Sequence, residues 1–218
     1  MKINQVFQQL AEKMLTAEQL ARKAIAQPAF LPMLVDGLDQ SGADVKYGCG
    51  KALRIVVDEE PELLYSYFDV FASMLDSRNK IIRWEAIYLI AGLAPVDGDD
   101  KISEIWPAYF RPVEGPEMIT AANVVNGAAR IALARRDLVE DVIREILRVY
   151  KGKYETEECY RVVAGATLKA FEKLYKLAPD KEPLIRFAEL HARSSRIPTR
   201  NAARRLLEKH ARLNAVTA

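Results

Sequence analysis

Apolar residues recur at three- and four-residue intervals along most of the chain, and this spacing predicts amphipathic helices. Clear examples are the segments PAFLPMLVDGL, PELLYSYFDVFASML, DLVEDVIREILRVY and EPLIRFAEL. Turn-forming residues separate these segments, as at Asp76-Ser77, Asp97-Gly98, Gly115-Pro116 and Pro179. No segment alternates with period two over the length of a strand. The pattern therefore predicts an all-α protein.

A nine-residue template repeats along the chain at intervals of 37 to 41 residues. The copies VKYGCGKAL and IRWEAIYLI both open with an aliphatic residue and a cation and have a small residue at the fifth position. Related copies are ITAANVVNG, YRVVAGATL and TRNAARRLL. The fifth positions are Cys49, Ala86, Asn123, Ala164 and Ala203. A period of this length is typical of proteins built from stacked helical hairpins.

We expect about five hairpins, each with an outer and an inner helix, after an N-terminal helical segment. Residues 1–27 are predicted to be a helical cap, residues 28–213 the repeats and residues 214–218 a tail, all within one domain, 1–218. One hairpin cannot bury its apolar face alone, so stacking creates the core. Pro107, inside the outer segment ISEIWPAYF, predicts a kinked helix or two short ones.

These repeats resemble the HEAT-repeat superfamily over most of the chain. The resemblance implies a right-handed α-α superhelix, a HEAT-like solenoid. It also implies an ion pair between neighbouring repeats, from an acid that ends one outer helix to a cation early on the inner helix. Asp39 with Lys46 and Asp76 with Arg83 fit that pattern, whereas Thr120 stands where the third cation belongs. The chain is also similar to uncharacterised prokaryotic HEAT-repeat proteins, which imply no activity.

The inner helices should present a solvent-facing stripe on the concave side. The template places there Tyr47, Lys51 and Arg54, then Trp84 and Tyr88, then Ala121 and Val125, then Val162, Ala166 and Lys169, and finally Asn201 and Arg205. Aromatic and arginine side chains are favoured anchors at interfaces. The stripe therefore predicts a groove for a peptide or helix. The alternative is that Tyr47 and Trp84 only cover the gap between stacked helices.

Asn123 and Asn126 lie three residues apart, on the side of the third inner helix that should be apolar. In one interpretation both are buried amides that fasten neighbouring repeats, because an unpaired buried amide would cost about 1–3 kcal/mol. The other rests on armadillo repeats, relatives of HEAT repeats in which an inner-helix asparagine holds the backbone of an extended peptide. Asn126 lies in a similar place, although Ala122 replaces the companion tryptophan. We therefore assign Asn123 a structural role and place Asn126 in the partner-binding set.

The net charge is only +2, so the whole chain is not a polycation that would seek nucleic acid. The charge is uneven, however, because residues 191–218 carry seven lysines and arginines against one acid. A candidate nucleic-acid patch consists of Arg196, Arg200, Arg204 and Arg205. Several phosphate contacts there would give salt-dependent binding. The alternative is a solvated terminal cap, whose cations suit the C-terminal end of a helix.

Catalytic motifs are missing from the sequence. The two histidines, His191 and His210, lie in the cationic region, and no phosphate-binding loop, nucleophile elbow or paired metal motif is present. We expect no enzymatic activity, no cofactor and no metal. One enzymatic alternative stays open, a relationship to the HEAT-like alkylpurine DNA glycosylases. The nearest equivalents of their DNA-holding residues are Trp84, Glu85 and Arg83.

Several features predict a cytoplasmic protein without a membrane segment. Cys49 and Cys159 lie 110 residues apart in helical patterns and are expected to be reduced. The first residues, MKINQVFQQLAEKM, lack the apolar core of a signal peptide. The longest uncharged apolar run, Ala86 to Val96, is too short to cross a bilayer.

Two functions follow from these patterns. The first is a non-enzymatic scaffold that binds another protein along the concave face. The alternative is a nucleic-acid-binding HEAT protein, with or without glycosylase chemistry. Neither pattern identifies the partner, the pathway or the oligomeric state.

Overall fold

The computed structural model describes residues 3–12, 14–40 and 42–217, which form thirteen α-helices and no β-strand. The predicted all-α class is confirmed. The described residues include no helix with both the length and the apolar character to cross a membrane. The chain divides into two compact units, Met1–Ile105 and Trp106–Ala218. This boundary falls inside the predicted repeat segment 28–213, and the single domain 1–218 stays a prediction.

Unit 1 alternates long helices with short ones. Its α-helices are α1 (Ile3–Ala11), α2 (Ala17–Ala26), α3 (Leu31–Gly37), α4 (Ala43–Glu59), α5 (Phe68–Ser73), α6 (Lys80–Leu93) and α7 (Lys101–Glu104). Four 3-10 helices extend or connect the short ones, namely Pro28–Phe30, Pro61–Tyr67, Met74–Asp76 and Ala94–Val96. The long helices α4 and α6 are the first two predicted inner helices.

Side-chain hydrogen bonds cap the first turn of two helices in unit 1, α2 and α6. The Thr16 hydroxyl accepts from the Gln19 amide at 3.2 Å, while Gln19 Oε1 accepts from the Thr16 amide at 3.0 Å. This reciprocal capping box starts α2 and satisfies two backbone donors that a helix end leaves unpaired. Asn79 caps α6 in a similar way, because its Oδ1 accepts from the Ile81 amide at 3.0 Å. The predicted N-terminal segment 1–27 thus contains two helices, α1 and α2.

Helix α4 is central to unit 1, where it packs against α1, α2, α3 and α6. Helix α5 covers α6 from the outer side. The largest buried side chains come from both layers and include Leu34, Leu53, Leu64, Phe68 and Phe71. Each hairpin therefore shares its core with the next, as expected for stacked repeats.

Unit 2 contains α8 (Trp106–Phe110), α9 (Met118–Ala134), α10 (Val139–Leu147), α11 (Glu157–Leu174), α12 (Glu182–His191) and α13 (Ile197–Thr217). Its 3-10 helices are Arg111–Glu114, Arg136–Leu138 and Arg148–Lys151. The segment around Pro107 forms two short helices, α7 and α8, as the proline predicts. Helix α13 continues to Thr217 and so enters the predicted tail 214–218.

Helix α11 packs against both α9 and α13 in unit 2. A buried hydroxyl fixes the second of these contacts, because Thr199 Oγ1 donates to the Arg161 carbonyl at 2.7 Å. Helix α12 covers α11 and α13 and contributes Phe187, whose ring meets that of Phe171 edge-on at 5.5 Å between centroids. Edge-on aromatic pairs of this kind add to the stability gained from burial.

Four of the five predicted small-residue positions are buried, and the fifth is not. The four small residues Cys49, Ala86, Ala164 and Ala203 are all 0% exposed. In α9, however, Asn123 is only half-buried while Val125 is 0% exposed. If Val125 replaces Asn123 as the fifth residue of the third template copy, the last four fifth positions are evenly spaced. They are Ala86, Val125, Ala164 and Ala203, each 39 residues after the one before. The polar residues Asn123, Asn126 and Arg130 recur at intervals of three and four residues and lie on one accessible side of α9, so the polar pattern indicates the rotation that the template missed.

Candidate functional site

Two helices of unit 1 carry a continuous row of accessible side chains, which we call the α4–α6 face. It consists of Tyr47, Lys51, Arg54 and Asp58 on α4 and of Trp84 and Tyr88 on α6. The intervals of three and four residues keep each row on one side of its helix. All five predicted groove residues of unit 1 are therefore at least partly accessible, and the structure adds Asp58 to them.

Arg54 is the centre of the α4–α6 face. Its Nε donates to Glu85 Oε2 at 2.6 Å, and its guanidinium carbon lies 4.5 Å from the centroid of the Tyr88 ring. Glu85 is only 5% exposed, so Arg54 neutralises a carboxylate that water barely reaches. Tyr88 in turn donates through its hydroxyl to Asp58 Oδ2 at 2.7 Å. The guanidinium of Arg54 and the ring of Tyr88 are thus each held by an acid of the protein.

The charge of the α4–α6 face also influences helix α2. The pKa of Glu18 is lowered chiefly by a backbone hydrogen bond, then by the Thr16 hydroxyl, and to a smaller extent by the positive charge of Lys51. Lys51 is exposed, and its ammonium group is therefore both accessible and within electrostatic reach of α2.

Tyr47 and Trp84 are both half-buried. Trp84 also takes part in noncovalent interactions within the protein. Part of each side chain is packed and part is accessible. Both interpretations therefore stay predictions: that the two residues anchor a partner, and that they cover the gap between stacked helices.

In unit 2 the accessible side of α9 differs from the predicted one. The predicted residues Ala121 and Val125 are fully buried, and Asn126 is exposed instead. Asn123 is half-buried, and its Nδ2 donates to the Ile119 carbonyl of its own helix at 2.9 Å. The interpretation of both asparagines as buried fasteners between repeats is therefore wrong. Asn126 keeps its predicted place in the partner-binding set as an accessible amide.

The remaining helices of unit 2 follow the template. On α11, Val162 and Ala166 are half-buried and Lys169 is exposed; on α13, Asn201 and Arg205 are exposed. All five residues that the template placed on the solvent-facing sides of α11 and α13 are therefore at least partly accessible in the structure.

The candidate nucleic-acid patch is largely compensated by acids and carbonyls of unit 2. Arg196 Nε lies 2.9 Å from Glu158 Oε1, an ion pair whose angle falls outside hydrogen-bond geometry. Arg200 donates through Nη1 to the Ser194 carbonyl at 2.9 Å. The exposed Arg205 forms a looser pair with the half-buried Glu172, with 3.5 Å between Nε and Oε2.

Arg204 is exposed and does not form an ion pair with any described residue. Of the four predicted arginines, it therefore has the least compensated positive charge. Nucleic-acid binding through the whole patch would require two of the other three to release an acid, which lowers the gain from any phosphate contact.

Solved structures resemble the chain over nearly its whole length. A designed armadillo repeat protein matches with a TM-score of 0.58 at 20% sequence identity, covering 93% of this chain and 89% of that chain. Computationally designed armadillo repeat proteins for modular peptide recognition match with a TM-score of 0.57 at 19% identity, covering 93% and 89%. The fold is an armadillo/HEAT-like repeat solenoid.

A third similar structure is a designed armadillo repeat protein in complex with the peptide (KR)4. It has a TM-score of 0.50 and 15% identity and covers 94% of this chain and 90% of that chain. No protein-family model and no curated protein matches the sequence. At these identities the likeness concerns the fold alone, and the functional residues must be argued from their own geometry.

The ion pairs that the HEAT resemblance implies are not both present. Among the ion pairs between described residues, none joins Asp39, which is exposed, to Lys46, which is half-buried. Asp76 and Arg83 each take part in noncovalent interactions, and their mutual pairing stays a prediction. In this armadillo/HEAT-like fold the clearest cross-repeat pair is Arg54 with Glu85.

Three observations on the described residues concern metal binding and reactive side chains. No group of three or more histidines, cysteines or acids lies close enough together to hold a metal ion in the described part of the chain. Glu85 is the acid that the sequence comparison matched to the DNA-holding residues of the HEAT-like glycosylases. It is buried and paired with Arg54. Cys49 is a free thiol whose pKa is raised by burial to about 12, which makes it unreactive.

Sequence reasoning missed the roles of Glu85 and Asp58 on the α4–α6 face. Glu85 is the one acid in the mainly apolar run IRWEAIYLI, and an acid on a buried side needs a cationic partner. That signal was available in the sequence. The identity of the partner was not, because Arg54 lies 31 residues earlier on another helix.

Proposed function

We propose that this protein is a non-enzymatic scaffold that binds an extended peptide or a helix of another protein through the accessible row on its long helices. In unit 1 the contact residues are Tyr47, Lys51, Arg54, Trp84 and Tyr88. In unit 2 Asn126 is a separate candidate contact. The observation that carries the proposal is the fixed stack of Arg54 on Tyr88, with 4.5 Å between the guanidinium carbon and the ring centroid.

Preorganisation is the physical support for this surface. Binding normally costs the rotamer freedom of long side chains, about 0.5–1.5 kcal/mol for each one that becomes fixed. Arg54 and Tyr88 have already lost that freedom, because Glu85 and Asp58 hold their polar ends at 2.6 and 2.7 Å. The ring and guanidinium surfaces that remain accessible are of the types that contribute most at interfaces.

The fold also supports a protein partner. The designed armadillo repeat proteins that share it are described as serving modular peptide recognition, and one is in complex with a peptide. An accessible inner-helix asparagine such as Asn126 can donate to one backbone carbonyl and accept from one backbone amide. Such paired contacts suit an extended chain.

Nucleic-acid binding is the competing hypothesis, and the pairing of the arginines argues against it. Arg196 and Arg205 face Glu158 and Glu172, so their charges are already partly balanced. A phosphate backbone would have to displace these acids.

A peptide-display selection against the purified full chain tests the proposal. Peptides that bind should lose about tenfold in affinity, or 1.4 kcal/mol, when Trp84→Ala or Tyr88→Ala is introduced. Val70→Ala is the matched control, since Val70 is a 41% exposed apolar residue on the outer helix α5. Circular dichroism melts of each variant separate loss of binding from loss of folding.

Two results would contradict the proposal. Selected peptides could bind every variant of the α4–α6 face equally well, which would place the site elsewhere. Alternatively, duplex DNA could bind at physiological salt and lose that affinity with Arg200→Ala plus Arg204→Ala, which would favour the nucleic-acid hypothesis.

A further inference from the structure

A cavity of about 450 Å³ opens between α11 and α13, and we call it the α11–α13 groove. Its volume is within the range of ligand sites. The groove lies in unit 2, whereas the α4–α6 face belongs to unit 1, so its role does not rest on the proposed function. The lining residues are Glu172 on α11, Lys176 just after that helix, and Arg205, Glu208, Lys209, Arg212 and Leu213 on α13.

Positive charge exceeds negative charge in the α11–α13 groove, with four cations against two acids. Lys176 is exposed and makes no ion pair with any described residue. The two acids are loosely paired. Glu172 Oε2 lies 3.5 Å from Arg205 Nε, and Glu208 Oε2 lies 3.6 Å from its cation, Arg212 Nη2. Exposed pairs of this kind contribute little, so both arginines can turn to a ligand carboxylate at small cost.

Two further lysines extend the positive surface along α11. Lys169 and Lys173 are exposed, and neither forms an ion pair with any described residue. Lys169 lies three residues before Glu172 and four before Lys173, which places these side chains on neighbouring parts of one helix side. With them the surface carries six cations against two acids. Such an excess attracts an acidic ligand over about 8–10 Å at physiological salt.

The walls of the α11–α13 groove are nonetheless largely apolar. Leu213 is the one apolar residue of the lining, yet most of the accessible lining is apolar, so the aliphatic stems of the charged side chains supply the rest. One stem is fixed by the protein, because Lys209 Nζ donates to the Glu172 carbonyl at 2.6 Å. A ligand therefore gains from an apolar group as well as from negative charge.

We propose that the α11–α13 groove binds an acidic segment of another protein, in which one apolar side chain enters the groove and neighbouring aspartates or glutamates meet the cations at its rim. Guanidinium groups can bind a carboxylate through two parallel hydrogen bonds, which gives such a contact direction as well as strength.

A nucleic acid fits the same surface less well. Its backbone carries a phosphate at every step, so it would pass close to Glu172 and Glu208, and phosphates gain nothing from the apolar walls. A peptide can place its acids opposite the cations alone and an apolar side chain between them. The mixed lining therefore favours the peptide.

A labelled peptide with one leucine between two runs of three glutamates provides the test, and its counterpart with glutamine in place of glutamate is the matched control. In fluorescence anisotropy titrations of the full chain at physiological salt, we expect saturable binding of the glutamate peptide. The glutamine peptide should bind at least about tenfold more weakly. No saturable binding of the glutamate peptide, or equal binding of the two, would overturn the proposal.

A third peptide tests the apolar contact. Replacing the leucine by alanine should weaken binding by about three- to tenfold, because less apolar surface is buried. Equal binding of the leucine and alanine peptides would contradict the entry of an apolar side chain into the groove.

Variants locate the peptide on these residues. Lys176→Gln and Arg212→Gln should each weaken binding of the glutamate peptide by about two- to fivefold, the range for one exposed ion pair, and the double variant by about tenfold. Both side chains are exposed, so we expect the variants to fold like the parent. Lys151→Gln is the control, since it removes another exposed cation of unit 2 outside the groove. Unchanged affinity in the double variant, or the same loss in Lys151→Gln, would contradict the assignment.

Two further measurements distinguish the acidic segment from other occupants. Unlabelled duplex DNA should not displace the glutamate peptide at physiological salt; displacement that required Lys176 and Arg212 would assign the groove to nucleic acid. In light scattering, we expect the parent and the double variant to have the same molar mass. A parent dimer that the double variant dissociated would assign the groove to a second copy of the chain.

Discussion

Replacing Arg54 by methionine tests how far the ion pair with Glu85 stabilises unit 1. Methionine keeps an apolar stem of similar length and removes the guanidinium. The Glu85 side chain is 7% exposed and that of Arg54 35% exposed, so the change leaves a nearly buried carboxylate without its described hydrogen-bond donor. We therefore expect Arg54→Met to be destabilising, although a surface arginine seldom is.

The magnitude follows from two contacts. Leaving a buried polar group unpaired costs about 1–3 kcal/mol, and water that enters beside the half-exposed position 54 favours the lower part of that range. The lost cation–π contact with Tyr88 adds about 0.5–1 kcal/mol. The expected loss in the free energy of unfolding is therefore about 2 kcal/mol. In the Glu85→Gln background no charge is buried, and the same substitution should cost only about 1 kcal/mol.

Urea denaturation gives both values. The chain has two tryptophans, so Trp106→Phe leaves Trp84 as a fluorescent reporter within unit 1. Linear extrapolation then yields the free energy of unfolding for the four members of the double-mutant cycle. The reasoning is refuted if Arg54→Met costs the same in both backgrounds, or less than about 0.5 kcal/mol in the parent, which is the usual effect of a surface change.

Three further outcomes can be measured with single changes. Burial lowers the pKa of His191, so the stability it contributes is present above its unfolded pKa of 6.5 and is lost as pH falls below that value; His191→Gln should flatten the pH dependence of thermal melting. Asn123→Ala should change the free energy of unfolding by less than about 0.5 kcal/mol, because the lost bond is local and alanine favours a helix. Duplex DNA at physiological salt should bind weakly, and Arg200→Ala plus Arg204→Ala should leave that weak binding unchanged, in a fluorescence anisotropy titration.

Hydrophobic periodicity by itself determined the helical hairpins and most of their register. The period of 37 to 41 residues placed Cys49, Ala86, Ala164 and Ala203 at closely packed positions, and all four are fully buried. The same template put Arg54 and Tyr88 on accessible sides of two different helices. In α4 and α11 the polar residues concentrate on one side, and that contrast indicates the rotation of these two helices.

Only the tertiary structure decided which residues meet across helices. In α9 the repeat template placed Val125 on the accessible side, whereas the structure buries Val125 and exposes Asn126. The sequence likewise offers Arg54 more than one possible acidic partner. Its pairing with Glu85, 31 residues later, depends on how α4 and α6 stack. Local pattern specifies the face a residue occupies. Long-range packing specifies its partner, because residues distant in the chain come together only when the hairpins stack.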